Sequence, residues 1–203
     1  MSIHKINNVF SDKEILIINN LVNNVFIPKD KNKKYVSYDV NHGTGIHESL
    51  GRLQISTIFF PQEFKNKITE VANQVSGKQL TMSHGIYAEY SSKYGEPNLP
   101  PHFDYDTNDL VIDFQLSSNI SWDLGIDLKT YALEDNSALI FNANHYIHWR
   151  PHKVFKDEDY VKMLFFRFYD PKNKSDYSSL NYSQDSKIFQ DIRSFRDSLK
   201  ENI

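Results

Sequence analysis

From about Gln79 to about Tyr169 the chain is a succession of short segments rich in β-branched and aromatic residues, separated by turns. Strands are expected near 84–91, 109–117, 127–132, 137–142, 146–154 and 159–169. Several short strands at this spacing close most readily into two packed antiparallel sheets. The expected architecture is therefore α+β: a double-stranded β-helix, or jelly-roll, preceded by helices. Hydrophobic residues make up 39% of the chain and aromatic residues 14%, which is enough for a core of that size.

The flanks carry a different period. Phe10-Ser11-Asp12-Lys13-Glu14 opens a helix: Ser11 caps, Glu14 completes a capping box, and Phe10 is placed as a hydrophobic staple. Ile15, Ile18, Leu21 and Val22 continue at helical spacing. A second helix starts after Phe60-Pro61, with Phe64, Ile68, Val71 and Val75 as its apolar stripe. Residues 29–51 are polar and contain Gly43, Gly45 and Gly51, the pattern of a long loop or lid. From Asp185 to Ile203, Ile188, Phe189, Ile192, Phe195 and Leu199 predict a helix packed on the outside. No repeat or linker divides the chain. It reads as one domain over 1–203, with a helical part over 8–78, the jelly-roll over 79–170 and a helical tail over 171–203.

Composition narrows the partners. Lys+Arg number 23 and Asp+Glu 26, with no basic stripe, so a nucleic-acid partner is not expected. The absence of cysteine excludes disulfides, thiolate zinc sites and thiol catalysis. No apolar run approaches the length of a membrane span, and the start of the chain has no signal-peptide pattern, so a cytoplasmic protein is expected. A monomer and a homodimer are equally compatible with the sequence.

Within the strand-rich region stands His102-Phe103-Asp104, followed by His148 on a separate segment. Residues two apart on an extended strand share a face. Pro100-Pro101 ends a loop, so the motif is expected to open a strand. Two imidazoles and a carboxylate suit Fe(II) and leave three coordination positions for a bidentate cosubstrate and dioxygen. His102, Asp104 and His148 are the expected ligands. His152 shares strand parity with His148 and is the rival third ligand. His145 lies in a turn and is expected at the surface, and His84 opens the preceding strand. His42 and His47 fall in the lid, where surface exposure and substrate contact are both open.

These segments resemble the Fe(II)/2-oxoglutarate-dependent oxygenases, in particular the prolyl-4-hydroxylase-like branch. Val9-Phe10-Ser11-Asp12-Lys13-Glu14 is similar to the opening helix of that branch. Tyr90-Ser91-Ser92-Lys93-Tyr94-Gly95, then Pro101-His102-Phe103-Asp104, is similar to its tyrosine, glycine and HxD segment. Ser137-Ala138-Leu139-Ile140-Phe141 followed by Ile147-His148-Trp149-Arg150-Pro151 resembles the strand leading to its distal histidine. The likeness covers about residues 8–170.

The resemblance implies Fe(II), 2-oxoglutarate and O2 as the reaction's cofactor and cosubstrates, and admits ascorbate as an accessory reductant. It implies hydroxylation of a C–H bond in a prolyl residue or a small amino-acid-like molecule, with release of succinate and CO2. It further implies a basic residue for the far carboxylate of the cosubstrate, about ten residues after the distal histidine. No cation stands there. Lys162 is the first on the next strand and is preferred, because the turn over Phe155–Asp159 is extended; Arg150 is its rival and Arg167 the third option. Tyr90 is implied as a hydroxyl toward the same cosubstrate. Two other readings stay open: a metal-dependent cupin-type enzyme without 2-oxoglutarate, and a metal-free jelly-roll binding module.

Overall fold

The computed structural model describes residues 2–23, 45–49, 51–58, 60–104, 109–172 and 194–195. Eleven strands and two α-helices are described: β1 (His4–Asn7), α1 (Asp12–Leu21), β2 (Gly45–Ser49), β3 (Arg52–Ile58), α2 (Gln62–Ser76), β4 (Thr81–Ser91), β5 (Leu99–His102), β6 (Leu110–Ser118), β7 (Leu124–Ile126), β8 (Lys129–Tyr131), β9 (Ser137–Phe141), β10 (His148–Arg150) and β11 (Tyr160–Tyr169). The strands form a seven-stranded sheet, β1-β9-β6-β11-β4-β3-β2, and a four-stranded sheet, β5-β10-β7-β8. Every pairing is antiparallel. This is the expected jelly-roll.

The large sheet is covered on both faces. One face packs on the helices through Tyr87, Ile112, Phe114, Ile140, Leu164 and Phe166, against Ile18, Phe64, Ile68 and Ala72. The other face turns inward toward the small sheet through Ala88, Tyr90, Val111, Leu139, Phe141, Val161 and Met163, with Leu124 and Ile126 opposite. Each buried Val, Leu, Ile, Phe or Met among them contributes roughly 1.5–3 kcal/mol. Alternation along β6 and β11 thus sorts residues between the two clusters, and the inner face lines the interior where the candidate site lies.

The helix starts follow local chemistry. Ser11 accepts from the Glu14 N–H, and the Glu14 carboxylate accepts from the Ser11 N–H at 2.7 Å, the expected capping box. Phe10 packs edge-on against the rings of Phe64 and Phe114, which ties α1 to α2 and to the large sheet. Helix α2 begins one residue after Pro61, which occupies the cap position, and ends at Gly77 with φ 67°. Asn136, at φ 60°, makes the turn into β9, and its amide exchanges hydrogen bonds with the Phe10 backbone at 2.9 and 2.6 Å.

Part of the expected lid is a hairpin, β2 with β3, turning at Gly51. A Cβ on Gly51 would lie 2.1 Å from the Pro97 nitrogen, so the 96–97 segment crosses directly over this glycine. Residues 29–44 of the expected lid, His42 among them, and the expected tail helix over 185–203 lie outside the described residues, apart from 194–195. Phe195 meets Trp149 edge-on at 5.0 Å between ring centroids. Among the described residues no helix is long and apolar enough to cross a membrane.

Candidate metal centre

Strands β5 and β10 pair with His102 directly opposite His148. Their rings lie 4.1 Å apart between centroids. His102 closes β5; Pro100 and Pro101 lie within that strand, so the motif ends a strand where it was expected to open one. Asp104 follows β5 and is held by its backbone N–H, which donates to the Ala143 carbonyl at 3.0 Å. Its Oδ1 is 3.9 Å from His102 Nε2 and 3.8 Å from His148 Nε2. One ligand atom from each of the three falls within 4.8 Å of the others.

The donor chemistry fits a cation. Carbonyl oxygens only accept, so His102 Nδ1, 2.8 Å from the Pro100 oxygen, carries its proton there. His148 Nδ1 faces the Tyr146 oxygen at 3.3 Å in the same sense. Both Nε2 lone pairs are thereby directed at the shared space, the arrangement usual for ligating histidines. Burial and then the neighbouring His102 push the His148 imidazole down to about 4. Burial likewise lowers His102. Burial acts to raise Asp104, but Arg167 and the two histidines outweigh it and keep the carboxyl below its ordinary value. All three groups are therefore deprotonated at neutral pH, as ligation requires.

The other predicted residues separate clearly. Arg150, two residues beyond His148, is buried with it. Its guanidinium donates to the Trp122 carbonyl and to Met163 Sδ, and stacks 4.8 Å from the Trp122 ring centroid and 5.9 Å from that of Tyr90. Tyr90 is fully buried on the inner face of β4. Lys162 is on the opposite face. Its neighbours Val161 and Met163 point inward and Leu164 toward the helices, so Lys162 shares the helix side with Glu89, its partner across β4. Lys162, expected as the anchor for the far carboxylate of the cosubstrate, thus lies on the face turned away from the three-residue cluster. His152 also departs from expectation: β10 ends at Arg150, the parity is lost at Pro151, and the imidazole is exposed, 2.8 Å from Glu96. His145 is exposed in a turn, as expected. His84 lies on β4 outside the three-residue cluster, and the backbone of His47 is in β2.

Three residues that sequence reasoning left aside or undervalued face the same interior. Arg167 Nη1 contacts Asp104 Oδ2 at 2.5 Å. Asp113 lies on the inner face of β6 between Phe165 and Leu139, and burial, then the nearby Asp104, raise its carboxyl to about 7. Arg52 stands opposite Tyr90 in the sheet and donates to its hydroxyl at 3.0 Å. Arg167 and Asp113 share strand parity with Met163 and Val111, but the sequence leaves open which way those apolar residues face.

Neither a protein-family model nor a curated protein matches the sequence significantly. Solved structures do share the fold. The non-heme alpha-ketoglutarate-dependent epimerase SnoN from nogalamycin biosynthesis superimposes with a TM-score of 0.62 at 10% identity, covering 83% of this chain and 78% of its own. A Trichoplax adhaerens prolyl hydroxylase, solved with a hypoxia-inducible-factor peptide fragment, gives 0.53 at 10% identity over 83% of each chain. HygX from Streptomyces hygroscopicus, solved with nickel and 2-oxoglutarate, gives 0.52 at 8% identity, covering 84% of this chain and 83% of its own. The chain thus shares its jelly-roll fold with these proteins. The prolyl hydroxylase is one of several neighbours, so the fold does not single out the prolyl-4-hydroxylase-like branch.

Proposed function

We propose that this chain is an Fe(II)- and 2-oxoglutarate-dependent dioxygenase that hydroxylates a C–H bond of a small-molecule or peptide substrate, releasing succinate and CO2. The convergence of His102, Asp104 and His148 inside a jelly-roll is the observation that carries this reading. Fe(II) held there, with 2-oxoglutarate and dioxygen, supplies the oxidising power that no side chain of this protein can supply.

The chain's own residues bind and orient. His102, Asp104 and His148 would hold the metal through Nε2, Oδ1 and Nε2. Arg167 occupies Asp104 Oδ2, so the carboxylate would offer a single oxygen to it. Arg150 takes the far carboxylate of the cosubstrate. Its two contacts leave three N–H donors for that purpose. Tyr90 borders the same space, and Trp122 and Phe155 pack behind it to keep out water. A buried guanidinium on the histidine's own strand favours 2-oxoglutarate use over a cupin-type reaction without it. A carboxylate ligand at Asp104 fills the position that a halide would need, which favours hydroxylation. A prolyl residue or amino-acid-like molecule is the substrate class that the sequence resemblance suggests, and the peptide-bound prolyl hydroxylase neighbour is compatible with it. The test is aerobic decarboxylation of 2-oxoglutarate, read as succinate. Fe(II)-dependent succinate formation that disappears in Asp104→Ala supports the reading; none in the wild type removes it.

A further inference from the structure

Three guanidiniums face the interior, and two of them have an evident counterpart. Arg167 has Asp104, and Arg150 is held by Trp122 and Met163 with Asp113 nearby. Arg52 is different. It is half-buried, and among the described residues no carboxylate lies within ion-pair distance of it. Its Nη1 bonds the Tyr90 hydroxyl, while its Nε is buried with no hydrogen-bond partner. A buried N–H donor without a partner is costly unless a ligand completes it.

Its position is fixed by the backbone. Arg52 pairs directly with Tyr90 across the sheet, so its side chain leaves on the inner face. Gly51, immediately before it, is clamped beneath the 96–97 segment. The guanidinium lies 5.7 Å from the Tyr90 ring centroid, and that of Arg150 lies 5.9 Å from the same ring. Arg52 therefore borders the same interior, on a different strand from the Arg150 proposed to anchor the cosubstrate.

We propose that Arg52 receives an anionic group, a carboxylate or a phosphate, carried by the primary substrate. Charge balance supports this. Three arginines and a divalent ion face the carboxylates of Asp104 and Asp113; a dianionic cosubstrate leaves positive charge in the cavity, concentrated at Arg52, which has no carboxylate partner among the described residues. A planar guanidinium with free donors suits either group through paired hydrogen bonds. The inference rests on the oxygenase reading and narrows it to an acidic substrate.

The test uses the full chain loaded anaerobically with Fe(II) and 2-oxoglutarate, with the visible charge-transfer band as readout. Sodium acetate and inorganic phosphate are titrated separately, and the tighter of the two identifies the group. The wild type is expected to show a saturable shift of the band. Arg52→Gln should weaken that response at least about tenfold while keeping 2-oxoglutarate affinity within about threefold, and Arg52→Lys should retain part of it. The retained band shows that the variant is folded. An undiminished response in Arg52→Gln, no saturable response in the wild type, or loss of 2-oxoglutarate binding in Arg52→Gln each overturns the proposal. Absence of the band in the wild type before any anion is added overturns the oxygenase reading itself, and this inference with it.

Discussion

Arg167 and Asp104, 63 residues apart in the chain, meet at 2.5 Å and divide the carboxylate: Oδ2 belongs to the guanidinium and Oδ1 faces both histidines. Groups that orient metal ligands in this way are worth about 10–100-fold in metal affinity. Arg167→Met is expected to weaken Fe(II) or Ni(II) binding by that factor, measured by competition with a chelator. Unchanged affinity would show that Asp104 is oriented by its backbone alone.

The cosubstrate anchor separates two cations of the same charge. Arg150→Gln should reduce 2-oxoglutarate affinity at least about 100-fold, the scale of losing a buried ionic contact. Lys162→Ala, on the helix-facing side, should leave it unchanged. Equilibrium binding in the presence of metal distinguishes the two, and the reverse pattern would contradict the assignment.

Gly125 stands across from Trp149 where β7 meets β10, and a Cβ there would fall 2.3 Å from the indole. Gly125→Ala should cost about 1–3 kcal/mol, as overpacking does. Denaturant unfolding of Gly125→Ala alone and combined with Trp149→Ala checks the mechanism: the second change should recover part of the loss.

Glu14 shows how a surface feature governs acid stability. Hydrogen bonds from the Lys67 ammonium and from the Ser11 backbone hold its carboxyl down at about 2. A depressed carboxyl stabilises the fold fully above its unfolded value, and that stabilisation is lost as pH falls toward the folded value. Glu14→Gln should therefore be less stable than the wild type by about 1 kcal/mol above pH ~5, and the gap should close toward pH ~2. Chemical denaturation across that range tests it.

What the sequence revealed and concealed follows from the range of the interactions. The capping box at Ser11 and Glu14 is local and was readable, as were the long strands β4, β6, β9 and β11. Strand β5 was missed because Leu99-Pro-Pro-His lacks two backbone donors, and its pairing is set by β10 alone. Strand β7 spans three residues and leaves no periodicity to read. Strand β2 lies at the sheet edge, and its residues fell within the polar 29–51 stretch that reads as a loop. The orientation of β11 was the costliest gap. Both faces of the large sheet are buried, so Val161, Met163 and Leu164 are all apolar, and no binary pattern says which way Lys162 points. His102, Asp104 and His148 were legible because their spacing survives any small error in strand boundaries.

Anaerobic titration of the full chain with Fe(II) and 2-oxoglutarate tests the central claim most directly. A weak visible charge-transfer band is expected, growing to one equivalent of each, and absent from His102→Ala. No band in the wild type, or an undiminished band in His102→Ala, would contradict a metal centre built from His102, Asp104 and His148.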